Sequence, residues 1–403
     1  MYAHPSQLRA ANRRRAFRLL LARGPLSRAD LARATGLSPM TAGKIADDLI
    51  RDRLVEEPEP GDAPSARPAM GRPPRNLAIS STRHLPIVEL GVRSTAVMLQ
   101  PLDPTKQGPS ISFPTPRSIK SLLARVDSAR RRLHIPPADV LLISVPGVLD
   151  AHAHRVLCSP NLPIIEQPGF LHRLADLFHA SPCAVQEIQA LALGHQAHTP
   201  ADLPPHQSFV LMDFGDGVGG ALVARGQLFQ GSLPMSGELG HTGVHGNRRP
   251  CVCGSIGCLE TLVSRQGLLS SFRQHLKRPN ASWQALRAHV ASRGIEPWLA
   301  RSIDAAAIVI AGAINLVGTQ DVVLTGDLPD LHPDVGPLFE RRILLHSLIS
   351  RLGRLTCHIA PRRRILGLIA AAADRVLLPE PELAEPVPNA QLPHASPARA
   401  TRP

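Results

Sequence analysis

The 403 residues predict an α/β protein preceded by a small helical unit. Three observations lead there. Residues 6–57 carry a helix–turn–helix–turn–helix pattern with its caps in place. From about residue 85, apolar runs of strand length alternate with amphipathic helical stretches, as in α/β folds. Between Gly237 and Thr261 three cysteines and a histidine are spaced H-x9-C-x-C-x4-C, which places a metal site inside the second unit.

Composition bounds the function. The hydrophobic fraction of 43 % suffices for a substantial core. Aromatic residues make up 3 %, so nucleic-acid binding cannot rest on stacking platforms. The net charge of +13 favours a polyanionic partner. Lysine occurs only at Lys44, Lys106, Lys120 and Lys277, so the excess is arginine, and a general compositional bias would produce the same sum. The amino-terminal "MYAHPSQLRAANRRRAF" lacks the apolar region of a signal peptide. The longest apolar stretch, "AAAIVIAGAINLVG", is too short to span a bilayer and contains Asn315. A cytoplasmic location without membrane contact is therefore expected, and there clustered cysteines are better read as metal ligands than as disulfides.

The first unit is expected over residues 6–78. "SQLRAANRRRAFRLLLARG" has a helical apolar stripe and stops at Gly24. "SRADLARATG" begins with Ser27 as N-cap, has Asp30 three residues on, and ends at Gly36. "LSPMTAGKIADDLIRDRLVEE" restarts with Ser38 as N-cap and Pro39 at the first helical position. This is the helix-turn-helix pattern, and the last helix is the recognition helix. Ala42, Ile45 and Leu49 fall on the inner face. Pro39, Met40, Thr41, Gly43 and Lys44 lie in the half that meets base edges. Arg13, Arg14, Arg15, Arg28 and Arg33 are placed for phosphate contacts. "PEPGDAPSARPAMGRPPRNLAI" then reads as a wing with a Pro/Gly-rich tip, where Arg67, Arg72 and Arg75 would reach the duplex. A flexible linker has the same composition.

The second unit is expected over residues 85–378. "LPIVELGVRSTAVMLQPL" predicts two strands and a tight turn, and "PRSIKSLLARVDSARRRLHI" a helix. "DVLLISVPGVLD" is a buried strand, and "CAVQEIQALALGHQA" a strand running into a helix. "SFVLMDFGDGVGGALVARGQLFQG" is a hairpin with a glycine-rich turn. Mainly helical sequence follows the cysteine cluster, then the strand "DVVLTG". Residues 379–403 are Pro-rich without apolar periodicity and are expected to be disordered.

The cluster itself reads chemically. Thiolates of Cys251, Cys253 and Cys258 with the His241 imidazole would form a closed, tetrahedral, structural Zn²⁺ site. Cys158, Cys183 and Cys357 are scattered and read as core or loop residues. Glu238, His241 and Glu260 are polar groups suited to a small hydroxylated ligand.

The stretch resembles the signature of the ROK family (repressors, open reading frames and kinases), G-E-x-G-H followed by C-x-C-G-x-x-G-C-x-E. Gly237, Glu238, Gly240, His241, Cys251, Cys253, Gly254, Gly257, Cys258 and Glu260 carry the resemblance. It implies an actin-like (ribonuclease-H-like) fold of two α/β lobes with a ligand cleft between them. A preceding winged helix is the arrangement of the family's sugar-responsive repressors. By the same resemblance His241 binds metal through one ring nitrogen and sugar through the other, and Glu238 and Glu260 accept from sugar hydroxyls. "SPNLP" (159–163) brings Asn161 into the pocket, and "VPGVLD" (145–150) brings Gly147.

The family kinases have an Asn-Asp pair in a segment matched here by "VQEIQALALGH" (185–195). Gln186 and Glu187 stand at those two positions, so Glu187 is a degenerate catalytic position and both are expected to face the sugar. The kinases' first phosphate loop, D-x-G-G-T, is replaced by "ELGVRST" with Glu89, Val92 and Arg93. The second, "DFGDGVGGAL", keeps its glycines but adds Asp216. The adenosine segment reads "VVLTGDLPD". The resemblance therefore implies a non-enzymatic regulator, most simply a repressor, that binds operator DNA as a homodimer or homotetramer and answers to a sugar. An active ATP-dependent sugar kinase carrying a DNA-binding domain is the alternative.

Overall fold

The computed structural model describes residues 5–58, 75–198 and 208–379. The wing tip with Arg67 and Arg72, and the tail beyond residue 379, lie outside the described residues.

The amino-terminal unit is a winged helix-turn-helix: α1 (Pro5–Arg23), β1 (Leu26–Ser27), α2 (Arg28–Thr35), α3 (Pro39–Arg51), β2 (Val55–Glu56) and β3 (Asn76–Ile79). The caps are local and act as the sequence predicts. The Ser27 hydroxyl accepts from the Asp30 N–H and the Ser38 hydroxyl from the Thr41 N–H. Gly36 ends α2 in the left-handed region, at φ 68°. The strands form a three-stranded antiparallel sheet, β1-β3-β2, with Leu26 opposite Leu77 and Val55 opposite Ile79. Phe17, Leu20, Leu31, Ala42, Ile45, Leu49, Leu54 and Leu77 are buried beneath it.

Two lobes follow with one topology used twice. The first holds β4 (His84–Glu89), β5 (Ser94–Pro101), β6 (Ser110–Pro114), α4 (Ile119–Arg132), β7 (Val140–Val145), β8 (Val148–Asp150), β9 (Arg155–Cys158), α5 (Phe170–Asp176), β10 (Ser181–Gln186) and α6 (Glu187–His198). The second holds β11 (Phe209–Phe214), β12 (Val218–Ala224), β13 (Gln227–Leu228), α7 (Glu260–Val263), α8 (Arg265–Leu276), α9 (Trp283–Arg293), α10 (Pro297–Val317), β14 (Asp321–Gly326), α11 (Val335–His346), α12 (Ile349–Leu352), β15 (Thr356–Ile359) and α13 (Arg364–Ala372).

The sheets are ordered β10-β7-β4-β5-β6 and β13-β12-β11-β14-β15. In each, the first strand is central, an antiparallel meander lies on one side and two parallel strands on the other. A helix follows the last strand of each lobe and packs toward the other. Ile188, Leu191 and Ala192 of α6 join Phe209, Leu211 and Val323 of the second sheet. Leu368, Ile369 and Ala372 of α13 join Ile87, Leu142 and Val185 of the first. The two helices touch at their glycines. A Cβ at Gly367 would stand 1.6 Å from the Ala190 carbonyl oxygen, and one at Gly194 2.0 Å from that of Arg363.

The winged helix is seated at this crossing. Phe17 and Leu20 of α1 share one apolar cluster with Ala190 of α6 and Leu368–Ala373. Arg18 of α1 ion-pairs with Asp374 just beyond α13. The amino-terminal unit is thus continuous with the helices that connect the lobes.

One expectation is corrected here. The apolar segment read as too short for a membrane belongs to α10, whose 21 residues are long and apolar enough by length and composition. Its apolarity has another cause: Trp298, Leu299, Ile303, Ala306, Ala307, Ile310, Ala311 and Ile314 are buried in the second lobe's core.

Candidate functional site

The lobes enclose a cleft of about 640 Å³, within the range of small-molecule sites. Its floor and walls come from strand ends and the turns after them, where the sheets leave backbone groups and side chains free to converge.

The cysteine loop forms one wall. The His241 Nδ1 lies 3.7 Å from the Cys251 Sγ, and the Cys253 and Cys258 Sγ atoms are 3.7 Å apart. All four ligand atoms lie within 4.8 Å of one another. Zn–S bonds of about 2.3 Å at tetrahedral angles put two sulfurs about 3.8 Å apart, so the four groups fit a zinc ion. Hydrogen bonds from the Ser255 backbone and from neighbouring side chains overcome burial to lower the Cys253 thiol to about 7. Burial, with Cys253 and Cys251, pushes Cys258 up to about 12.

The other nitrogen of His241 faces the cleft. Its Nε2 is 3.9 Å from Glu238 Oε2. Glu238 Oε1 accepts from Gln186 Nε2 at 3.3 Å. Glu260 is 6 % exposed; its Oε2 accepts from the Val218 N–H at 2.9 Å and its Oε1 from Asn161 Nδ2 at 3.4 Å. Burial raises the Glu238 carboxyl, with His241 opposing. Gly147, at φ 94°, brings the chain against β9: a Cβ there would stand 2.3 Å from the Cys158 carbonyl oxygen. Gly147, Asn161, Gln186, Glu187, Glu238, His241 and Glu260 all line this cleft. Gln186 Oε1 and Ser159 Oγ are buried there without a hydrogen-bond partner among the described residues. Unpaired buried polar atoms are costly unless a ligand or water meets them.

The far half of the cleft is filled by arginines that sequence reasoning missed. Arg362 donates to Asp213 through Nε at 2.6 Å and Nη2 at 3.0 Å. Asp213 also accepts from Thr325 Oγ1 at 2.7 Å. The guanidinium lies in the hollow between Gly215 and Gly326, where a Cβ would stand 2.6 and 2.5 Å from its Nη2. Burial opposes the Arg362 charge, and Asp213 outweighs it. Arg364 ion-pairs with Glu187 and lies 3.7 Å from Glu89. Burial raises the Glu187 carboxyl, with Arg364 opposing. Arg93 of the first lobe meets Asp216 of the second at 2.7 Å across the mouth. That pair is exposed and contributes at most about 1 kcal/mol, so it does not lock the lobes.

Cys158, read as a core or loop residue, is exposed and lines the cleft. Arg28 also has partners inside the protein: it donates to Asp47 at 2.7 Å, to Glu57 at 3.0 Å and to the Gly43 carbonyl at 3.3 Å. That clamps α2 onto α3. On α3, Pro39, Met40, Thr41 and Lys44 are exposed, Met40 by 73 %, and Gly43 is half-buried.

The chain is similar to known proteins in sequence and fold. The ROK family profile matches residues 116–344. The transcriptional dual regulator NagC of Escherichia coli K12 is 25 % identical over 359 residues, covering 82 % of this chain and 84 % of that protein. The xylose repressor of Bacillus spizizenii is 24 % identical over 339 residues, covering 81 % and 85 %. Among solved structures, a ROK family transcriptional regulator described as a homologue of the E. coli MLC protein aligns with a TM-score of 0.71 at 21 % identity, covering 92 % of this chain and 98 % of that one. A ROK glucokinase from Streptomyces griseus, solved with glucose and AMPPNP, aligns at 0.59 and 17 % identity, covering 72 % and 98 %. With the family profile over more than half the chain, the duplicated two-lobed fold and the complete Cys/His signature, the protein belongs to the ROK family.

Proposed function

We propose that the protein is a sugar-responsive transcriptional repressor that no longer phosphorylates its sugar. The winged helix-turn-helix over residues 6–78 binds operator DNA through α3, and the two lobes over residues 85–378 bind the effector. The observation that carries this reading is the seat of α1. It packs on α6 and α13, whose amino-terminal ends enter the cleft with Glu187 and with Arg362 and Arg364. A ligand that changes the angle between the lobes moves the two helices that hold the winged helix. Such a ligand shifts the equilibrium only as far as it prefers one pose over the other.

In this reading a Zn²⁺ held by His241, Cys251, Cys253 and Cys258 is structural and fixes His241 and Glu260 at the two ends of one loop. Gly147 lets the backbone pass close, Asn161 and Gln186 supply amides, and Glu238 and Glu260 accept from sugar hydroxyls. The relatives named as NagC and as xylose repressors support a repressor, and their names support an effector of the sugar class. Operator recognition by a homodimer or homotetramer follows from the symmetry of half-sites. The exposed Leu316, Leu345, Leu348 and Leu352 of the second lobe offer an apolar face for a second copy. A repressor of this kind works in the cytoplasm.

Loss of phosphoryl transfer rests on the filled hollow. Backbone N–H groups of glycine turns must reach ATP phosphates. Here Arg362 occupies the space between Gly215 and Gly326, and Glu187, at the base position, is paired with Arg364. Coupled ADP-release assays over hexoses, pentoses and amino sugars are expected to show no turnover. A rate above about 1 s⁻¹, within the kinase range, overturns this part of the reading.

The DNA-facing surface has its own test. Lys44→Ala removes an exposed cation from α3 while Ala42, Ile45 and Leu49 stay buried. If Lys44 contacts a base, affinity should fall by about 1–3 kcal/mol and specificity should relax at one operator position. Titration of operator and scrambled duplexes at fixed salt reads both. Unchanged binding to both would remove α3 from the interface.

A further inference from the structure

We propose that His275, His289 and Glu296 form a second metal site, for a borderline divalent cation of the zinc class, at the junction of α8, α9 and α10. Their ligand atoms lie within 4.8 Å of one another. His289 Nε2 is 2.7 Å and His275 Nε2 3.3 Å from the same oxygen, Glu296 Oε2. Two imidazole nitrogens therefore converge on one carboxylate from separate helices. In a tetrahedral site with bonds of about 2.0–2.1 Å, neighbouring ligand atoms stand about 3.3 Å apart. His275 already has that spacing, and a small rotation of His289 gives it the same.

The rings are held for the task. Phe272 packs 5.2 Å from the His289 ring, and Trp298 stacks 6.1 Å from that of His275. Trp298 Nε1 donates to Glu296 Oε2 at 3.2 Å, the outer-sphere bond that orients a ligating carboxylate. Three ring contacts of these histidines, His289 with Phe272, His275 with Trp298 and the two imidazoles with each other, meet at this junction. His275 is 36 % exposed at the side chain and His289 21 %, so an ion can enter from solvent. Two imidazoles and one carboxylate suit zinc, cobalt, nickel or copper better than magnesium or calcium. Three protein ligands leave one position for water. The ion would tie the carboxyl end of α8 and the middle of α9 to the N-cap of α10, the core helix of the second lobe.

The site lies apart from the thiolate cluster, and its spectrum is different. Full-length protein is titrated with Co²⁺ under reducing conditions, with bound metal counted by equilibrium dialysis. One equivalent should produce the thiolate-to-cobalt charge-transfer band of a Cys₃His site. A further equivalent should bind with ligand-field bands alone. Glu296→Gln and His289→Gln should each weaken that further equivalent by more than about tenfold, and Trp298→Phe, which keeps every ligand, by about 10–100-fold. The charge-transfer band should be unchanged in all three variants, which also shows that the second lobe is folded. Binding that ends with the thiolate band, or a further equivalent that survives both ligand substitutions, overturns the proposal and leaves the cluster as a hydrogen-bonded strut.

Discussion

Cys258→Ser should lower bound zinc by one ion per chain and remove the response to effector while operator binding persists. The expected effect is large because the tip of the loop between His241 and Glu260 has its apolar side chains outward, Val252 63 % and Ile256 71 % exposed, and only Val244 and Leu259 near the loop's ends pack on the core. Its backbone pairing consists of two isolated bridges, Gly243 with Cys258 and Pro250 with Ile256, and the hydrogen bonds around them: the N–H groups of Val244, Leu259, Cys251 and Gly257 donate to the carbonyls of Gly257, Thr242, Ser255 and Arg249. Asn247 adds a hydrogen bond to the Cys258 carbonyl, and Arg249 adds bonds to the Thr261 and Gly267 carbonyls. Each contributes about 0.5–1.5 kcal/mol net, against about 10–16 kcal/mol for zinc binding in small structural sites. Cys258 is the innermost ligand, 1 % exposed between the loop and Leu259 and Val263 of the core. With the ion gone, His241 and Glu260 lose their common anchor, and the cleft loses one wall. Elemental analysis, a thermal scan and a mobility shift read the three effects separately. Cys158→Ser is the control: Cys158 lines the same cleft but is not among the four ligands, so zinc should stay. Full zinc occupancy in Cys258→Ser would remove the site.

What was legible in the sequence is what local chemistry determines. Ser27, Ser38 and Gly36 cap helices whose ends they themselves define. The Cys/His spacing holds its ligands within one loop, so the spacing alone brings them close. Long-range placements were not legible. The crossing of α6 and α13 joins Gly194 to Arg363 and Ala190 to Gly367, and no local pattern reports that approach. Arg362 and Arg364 stand in "PRRRIL", which in an arginine-rich chain looks like more of the same. Their role appears only when the end of β15 is laid beside the β11–β12 turn. Arg28 opens α2 at the surface, and the ion pairs by which Asp47 and Glu57 return to it from later in the chain were not legible there. The full length of α10 was not legible because Arg301 and Asp304 interrupt the apolar run. Arg342 of α11 pairs with Asp304 at 2.9 Å, so the carboxylate does not interrupt the helix's packing.

Glu238→Gln should yield a regulator that binds operator normally and needs far more sugar to respond. The substitution keeps shape and replaces one carboxylate oxygen by an NH₂ donor. Gln186 Nε2 donates to Glu238 Oε1, so the amide oxygen of the variant takes over that acceptor role and its NH₂ turns toward the cleft. A sugar hydroxyl that donated to the carboxylate then meets a donor. Loss of a hydrogen bond to a charged group is worth about 1.5–3 kcal/mol, so effector affinity should fall by about one to two orders of magnitude. Glu260→Gln is a poorer probe. Glu260 accepts from the Val218 N–H on one oxygen and from Asn161 on the other, so the variant's NH₂ either opposes the Val218 N–H or forces the Asn161 amide to flip, and it disturbs the wall as well as the ligand. Glu238 has one such internal partner, and its second oxygen is 3.9 Å from His241 Nε2, beyond hydrogen-bond reach. Zinc content should stay, because the ion's side of His241 is Nδ1. Operator affinity without sugar should also stay, because Glu238 touches neither α3 nor the α6–α13 crossing. Mobility-shift titrations with and without effector, alongside calorimetry of sugar binding, separate the two affinities. A Glu238→Gln protein that answers to sugar at the parent's concentration would place the sensing site outside this cleft, whatever the state of the zinc loop beside it.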